Sequence, residues 1–171
     1  MTGSLRKTRL LLCLGALLPV ACADYSFTVN DRVVYTPEPV FTDLCIADPG
    51  LRNCVDQTIK DRKITKPAQL EELNCSHAGV QNLEGLQVFT GLKRLKLSSN
   101  AIADLSPLAD LRGITDLQLD ENRVVNLGAL RGLPNLQYIN LAGNLQLNCT
   151  ELAVFDQIPD IGRDLPTHCQ N

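Results

Sequence analysis

Cysteines are the residues of this chain whose side chains could do covalent chemistry. Seven occur in 171 residues, at positions 13, 22, 45, 54, 75, 149 and 169. No two have C-x-x-C spacing, and only two histidines are present, so the sequence predicts neither a metal site nor a cofactor. The cysteines are instead expected to form disulfides. The N-terminal sequence predicts export, and exported chains meet oxidising conditions.

Two disulfides are expected from the positions of four cysteines. Cys75 takes an inward position in the first of four repeats, and Cys54 lies on the apolar face of a helix predicted to cover that repeat. A Cys54–Cys75 disulfide would stabilise the fold by about 3 kcal/mol, because it closes a loop in the unfolded chain. Cys149 is also assigned an inward position, and its bond to Cys169 would pin the C-terminal tail. Buried unpaired thiols are the alternative. Cys45 is left over, as a free thiol or as the partner of Cys75 in place of Cys54.

Ser76 and His77 are neighbours whose side chains could suggest nucleophilic catalysis. No carboxylate stands where it could orient the imidazole, as a triad requires. The sequence also has no phosphate loop and no paired acids in a pocket. A hydrolase is therefore a remote alternative, and the chain is not expected to be an enzyme.

A 22-residue repeat over residues 70–155 positions these side chains. Its four copies begin at Leu70, Leu92, Ile114 and Leu136. Each copy has apolar residues at its first, fourth and sixth positions, and three copies have asparagine at the ninth: Asn100, Asn122 and Asn144. The order L-x-x-L-x-L-x-x-N at a fixed period is the leucine-rich-repeat pattern of a solenoid.

Each part of the repeat has a physical role. The alternating L-x-L places leucines on one face of a short strand, and stacked copies form a parallel sheet. The asparagine amide can satisfy backbone groups in the turn, and apolar residues at every third position suit a 3₁₀-like return. The predicted fold is an α/β leucine-rich-repeat solenoid of about four coils. Its sheet is concave, its convex legs are 3₁₀ or extended, and it has an N-terminal cap helix and a C-terminal cap. A leucine-rich helix bundle would not hold one 22-residue phase.

Polar residues between the strand leucines should point out of the sheet onto the concave face. They are the candidate protein-binding residues: Glu72, Asn74, Arg94, Lys96, Asp116, Gln118, Tyr138 and Asn140. Neighbouring strands lie ~4.8 Å apart, so residues 72, 94 and 116 should form a ladder of alternating charge. The ladder is read first as a solvated surface, since exposed pairs contribute about 0–1 kcal/mol each. Tyr138 is the one candidate aromatic anchor.

The ends of a solenoid expose core leucines unless other elements cover them. Residues 48–69 are predicted as an N-terminal helical cap, beginning with Asp48 as N-cap and a proline at the first turn. Residues 24–47 are an extended or hairpin lead-in, or a plain spacer. Residues 156–171 are a closing tail over the last coil.

Residues 1–23 are a predicted secretory signal, with a basic start, a short apolar run and small residues at the cleavage site. A membrane anchor helix is the alternative. A cysteine after a small residue at the end of such a leader resembles a bacterial lipoprotein signal, which would make Cys22 the lipidated first residue. Pro19 departs from that pattern. Cleavage after Ala23 would instead release a soluble protein, and both outcomes stay open.

The helix from Leu51 to Ile59, the repeats over residues 70–155 and the Ser-Pro-Leu at residues 106–108 resemble internalin-like bacterial leucine-rich-repeat proteins. The resemblance covers about two thirds of the chain. It implies a helical cap before 22-residue repeats, and it is much less specific for function. Two departures are Ala78, where the first turn asparagine would be, and Gln146, after which Leu147 takes the apolar position one residue late.

Net charge and composition limit which classes of binding partner the chain is expected to have. The formal net charge is −3, and removal of the three leader cations leaves −6. An acidic chain without a basic stripe does not favour nucleic acid, and it lacks a polybasic patch for anionic lipid. We therefore expect a monomeric, non-catalytic protein-binding module, exported to the periplasm or lipid-anchored at Cys22 to the outer membrane of a bacterium. A passive envelope scaffold or spacer is the alternative.

Overall fold

The computed structural model describes residues 27–29, 32–35, 44–158 and 161–170. The leader, with the lipidation candidate Cys22, lies outside the described residues, as does most of the predicted lead-in. Strands β1 (Phe27–Val29) and β2 (Arg32–Tyr35) pair antiparallel. The sequence allowed such a hairpin.

Helix α1 (Pro49–Arg62) begins at the predicted N-cap. The Asp48 side chain accepts a hydrogen bond from the Leu51 N–H at 2.9 Å, and proline takes the first turn, where its missing N–H costs nothing. The helix ends at Lys63, whose backbone is left-handed with φ 52°. Its apolar face buries Leu51, Val55 and Ile59 in the core that the first coil also lines.

Five three-residue strands form one parallel sheet in sequence order. They are β3 (Glu72–Asn74), β4 (Arg94–Lys96), β5 (Asp116–Gln118), β6 (Tyr138–Asn140) and β7 (Gly162–Asp164). The predicted phase is the observed register, which pairs Leu73 with Leu95, Leu95 with Leu117 and Leu117 with Ile139. These four side chains form one buried column. The predicted leucine-rich-repeat solenoid is confirmed.

The return legs are short 3₁₀ helices, as the apolar period of three predicts. They span Pro67–Gln69, Leu86–Val88, Ser106–Leu108, Gly128–Gly132, Cys149–Gln157 and Thr167–Cys169. Their apolar side chains, such as Leu108 and Leu130, are fully buried against the sheet leucines. No coil could bury these residues alone, so each depends on its neighbours.

Asparagines connect consecutive coils at the turn after each strand. The Asn122 amide nitrogen donates to the carbonyl oxygens of Leu97, one coil earlier, and Leu119, at 2.9 and 3.0 Å. Its carboxamide oxygen accepts from the N–H of Ile102 at 3.0 Å. One buried side chain thus satisfies backbone groups of two coils. The same pattern recurs at Asn100 and Asn144.

The residue before the ninth repeat position has a left-handed backbone in every copy. His77, Ser99, Glu121 and Gly143 take this place, with φ between 54° and 74°. Only the last is glycine, the residue that adopts this conformation without steric cost. After Ser99 and Glu121 the ninth residue is an asparagine whose side-chain hydrogen bonds support the turn, whereas after His77 it is Ala78.

The C-terminal tail differs from the sequence-based expectation. Residues 156–171 were predicted as a closing tail, with no strand assigned, and within them β7 adds a fifth strand parallel to β6. Tyr138 pairs with Gly162, two residues beyond the 22-residue spacing, because the Cys149–Gln157 leg is longer than the preceding one. Arg163, in register with Ile139, is exposed, so the apolar column ends there.

Candidate functional site

The polar residues of the concave sheet face form the candidate site. Glu72, Arg94, Asp116 and Tyr138 are in register across β3 to β6. Asn74, Lys96, Gln118 and Asn140 form the second row, two residues along each strand. All eight predicted side chains are half-buried or exposed, while the leucines between the rows are buried.

The charge ladder is only partly paired. Arg94 forms an ion pair with Glu72, and both side chains are about half exposed, so the pair contributes little to stability. Asp116 accepts a 3.4 Å hydrogen bond from Gln118 rather than an ion pair from Arg94. The Lys96 side chain makes neither a hydrogen bond nor an ion pair with the described residues.

A pocket of about 410 Å³ opens at the N-terminal end of this face. We call it the concave pocket, and its lining residues are Arg62, Glu72, Leu73, Asn74, Arg94, Lys96 and Asp116. Arg62 comes from the last turn of α1 and donates from Nη1 to the Glu72 carbonyl at 3.1 Å. This role could not be predicted from the sequence, because Arg62 lies in the polar end of the predicted helix and no pattern there indicates a contact with β3.

Tyr138, the candidate aromatic anchor, is engaged by the C-terminal tail. Its hydroxyl donates to the Asp164 carboxylate of β7 at 2.5 Å. This hydrogen bond, with desolvation and the carboxylate charge, raises the pKa of Tyr138 to about 12. Asp164 was not a candidate, because the 22-residue phase places no strand there.

This contact gives a titration prediction. The chain has three tyrosines, and Tyr138→Phe should remove the one that titrates near pH 12 in the phenolate absorbance. Asp164→Asn should shift that titration back toward pH 10. Because the folded pKa is raised, the contact stabilises the tail fully below pH 10 and is lost as pH rises through about 12. A wild-type titration with no component above pH 11 would contradict the contact.

Four described cysteines pair as the sequence favoured: Cys54 with Cys75, and Cys149 with Cys169. Cys75 is buried and links the first coil to α1. Cys149 is exposed, contrary to the expectation that it points inward.

Cys45 is disulfide-bonded, so both expectations for it, a free thiol and a replacement for Cys54, are wrong.

In the described part of the chain, no side chain is hydrogen-bonded or ion-paired to the side chains of Ser76 and His77 as a catalytic partner would be. His77 is exposed in a left-handed turn, and its ring makes no hydrogen bond among the described residues. The group nearest to a metal site is Cys149, His168 and Cys169. Its two sulfurs are joined to each other, and the His168 imidazole contacts the Leu147 carbonyl at 3.0 Å. Among the described residues, no helix has the length and apolar character to cross a bilayer.

Comparisons with known proteins agree with this geometry. The family model described as a leucine-rich repeat matches residues 90–145. The crystal structure of internalin C2 from Listeria monocytogenes is similar at 27% identity and a TM-score of 0.63, over 73% of this chain and 58% of that one. A second internalin from the same organism, inlF, is 20% identical with a TM-score of 0.61, over 74% of this chain and 45% of that one.

The fold defined by these matches is a leucine-rich-repeat solenoid of the internalin type. This chain spans about half the length of those two internalins. The comparison with curated proteins gives no match.

Proposed function

We propose that this chain is a non-catalytic protein-binding module of the bacterial cell envelope, and that its partner contacts the concave face. Leucine-rich-repeat solenoids bind partners on such surfaces. The carrying observation is that this face exposes two rows of polar side chains and the concave pocket, while the repeat leucines are buried.

Charge reversal tests the proposal. We expect Arg94→Glu with Lys96→Glu to reduce recovery of the partner from envelope extract about tenfold or more, because opposed charges across an interface cost several kcal/mol. The control carries the same charge change on Arg112→Glu and Arg131→Glu, two exposed residues outside the strands. Equal recovery with both double variants would refute binding at this face.

A passive scaffold or spacer is the second candidate. The Glu72–Arg94 pair and the Tyr138–Asp164 hydrogen bond favour it, because they satisfy part of the face internally. If neither the wild-type protein nor the variants retain a partner from envelope extract, the scaffold is supported. Hydrolysis of ester, peptide or glycoside substrates that His77→Ala abolishes would instead support an enzyme.

Export and anchoring are part of the proposal. Disulfides are typical of oxidising compartments, and the structure has two pairs plus the bonded Cys45. The proposal keeps two forms of the mature chain: a soluble periplasmic protein released by cleavage after Ala23, and a protein anchored by a lipid on Cys22.

The mass of the mature N-terminal peptide distinguishes these forms. An acylated Cys22 at the start of this peptide would show a lipoprotein. A peptide beginning at Asp24 would show the soluble form. A peptide that begins with an unmodified Cys22 would contradict both forms.

A further inference from the structure

We propose that the concave pocket binds an Asp or Glu side chain of the partner protein, and that Lys96 is the residue that binds its carboxylate. This inference rests on the proposed function and names the chemistry of the partner. The carrying observation is that the pocket offers hydrogen-bond donors without protein acceptors.

Both carboxylates of the pocket already interact with a donor of the protein. The Glu72 carboxylate pairs with Arg94, and its carbonyl accepts from Arg62. A carboxylate oxygen of Asp116 accepts from Gln118. The donors are in excess, because a guanidinium has five N–H groups and an ammonium has three. Arg62 uses one toward a described residue, and Lys96 uses none.

The position of Lys96 distinguishes it from an ordinary surface lysine. It is half-buried, and its register neighbours are the neutral residues Asn74 and Gln118. Lys93, three residues earlier, is exposed and pairs with Glu71 at 3.0 Å. The fold therefore pairs Lys93 with a carboxylate, while the Lys96 side chain lines the pocket without an ion pair to either of the pocket's carboxylates.

Charge at the pocket also favours an acidic group. Three cations and two carboxylates line it, on a chain whose net charge is negative. An acidic segment would be attracted at the pocket and repelled by most of the remaining surface, which fixes where and how the partner docks. Charge-assisted hydrogen bonds from Lys96 and Arg62 would hold the carboxylate.

The direct test uses capped hexaglutamate as the probe and capped hexaglutamine as its neutral counterpart. We expect hexaglutamate to shift the backbone amide resonances of β3 to β5 in a saturable, salt-sensitive way, and hexaglutamine to shift none. Lys96→Met keeps the side-chain length but removes the charge, and should weaken hexaglutamate binding about tenfold. Lys93→Met, the matched control, should leave it unchanged.

Equal hexaglutamate affinity of wild-type and Lys96→Met, or shifts confined to the return legs, would overturn the inference. A partner that still cross-links to the concave face of Lys96→Met with undiminished yield would refute the carboxylate contact while the proposed function stands. If the concave face of the wild-type protein forms no cross-links to any partner, the proposed function itself is refuted.

Discussion

Asn122→Ala should destabilise the solenoid by about 3–5 kcal/mol, since it leaves one buried N–H unsatisfied, at about 1–3 kcal/mol, and removes two further hydrogen bonds worth about 0.5–1.5 kcal/mol each. The N–H of Ile102 loses its acceptor. The carbonyls of Leu97 and Leu119 lose the Asn122 bond but still accept from Asn100 and Asn144. Asn122 is only 6% exposed, so water cannot readily replace its amide. Urea unfolding followed by circular dichroism measures the loss.

Asn126→Ala is the matched control for this variant. Asn126 is exposed, and its carboxamide accepts one local hydrogen bond, from Gly128. Its removal should cost less than about 1 kcal/mol. Comparable losses in the two variants would show that the buried asparagines do not connect the coils.

Asp48→Ala has the second largest expected effect, about 2–4 kcal/mol from a lost helix cap and unsatisfied amides. One carboxylate oxygen caps α1, and the other accepts from the N–H groups of Gln81 and Asn82 in the first coil, at 2.8 and 3.1 Å. The side chain therefore joins the helix to the repeats. Asp104→Ala is the control, since Asp104 is exposed and bonds only Ser106.

The same side chain gives a pH dependence. Burial of Asp48 acts to raise its pKa, but backbone N–H groups from four residues outweigh burial and lower the pKa below the ordinary value of 3.8. A lowered folded pKa means that this stabilisation is present above pH 4 and is lost as pH falls through the folded value. The stability difference between wild type and Asp48→Asn should narrow from pH 7 to pH 3. A constant difference would contradict the contact.

The fold followed from the sequence because its signal is periodic. The 22-residue phase places Leu73, Leu95, Leu117 and Ile139 over one another, and the observed register agrees. Alternation along each strand then assigns the concave residues without further information. Asp48 was recognised as a helix cap for a different reason: an N-cap residue followed by proline is a signal contained in adjacent residues.

Other features depend on contacts between residues far apart in sequence, and no period marks them. β7 was missed because the longer return leg shifts it by two residues and places Arg163 where an apolar residue was expected. Arg62 reaches the pocket only through the packing of α1 beside β3. The assignment of Cys149 to the core failed because the 22-residue phase slips by one residue at Leu147, before Cys149.

Site-specific photo-cross-linking tests most directly whether the concave face is the binding surface. A photoreactive residue at Gln118, in the centre of that face, should form covalent adducts with the partner in envelope extract. The same residue at Gln87, an exposed position on the second return leg, should form none. Adducts from Gln87 with none from Gln118 would contradict the account.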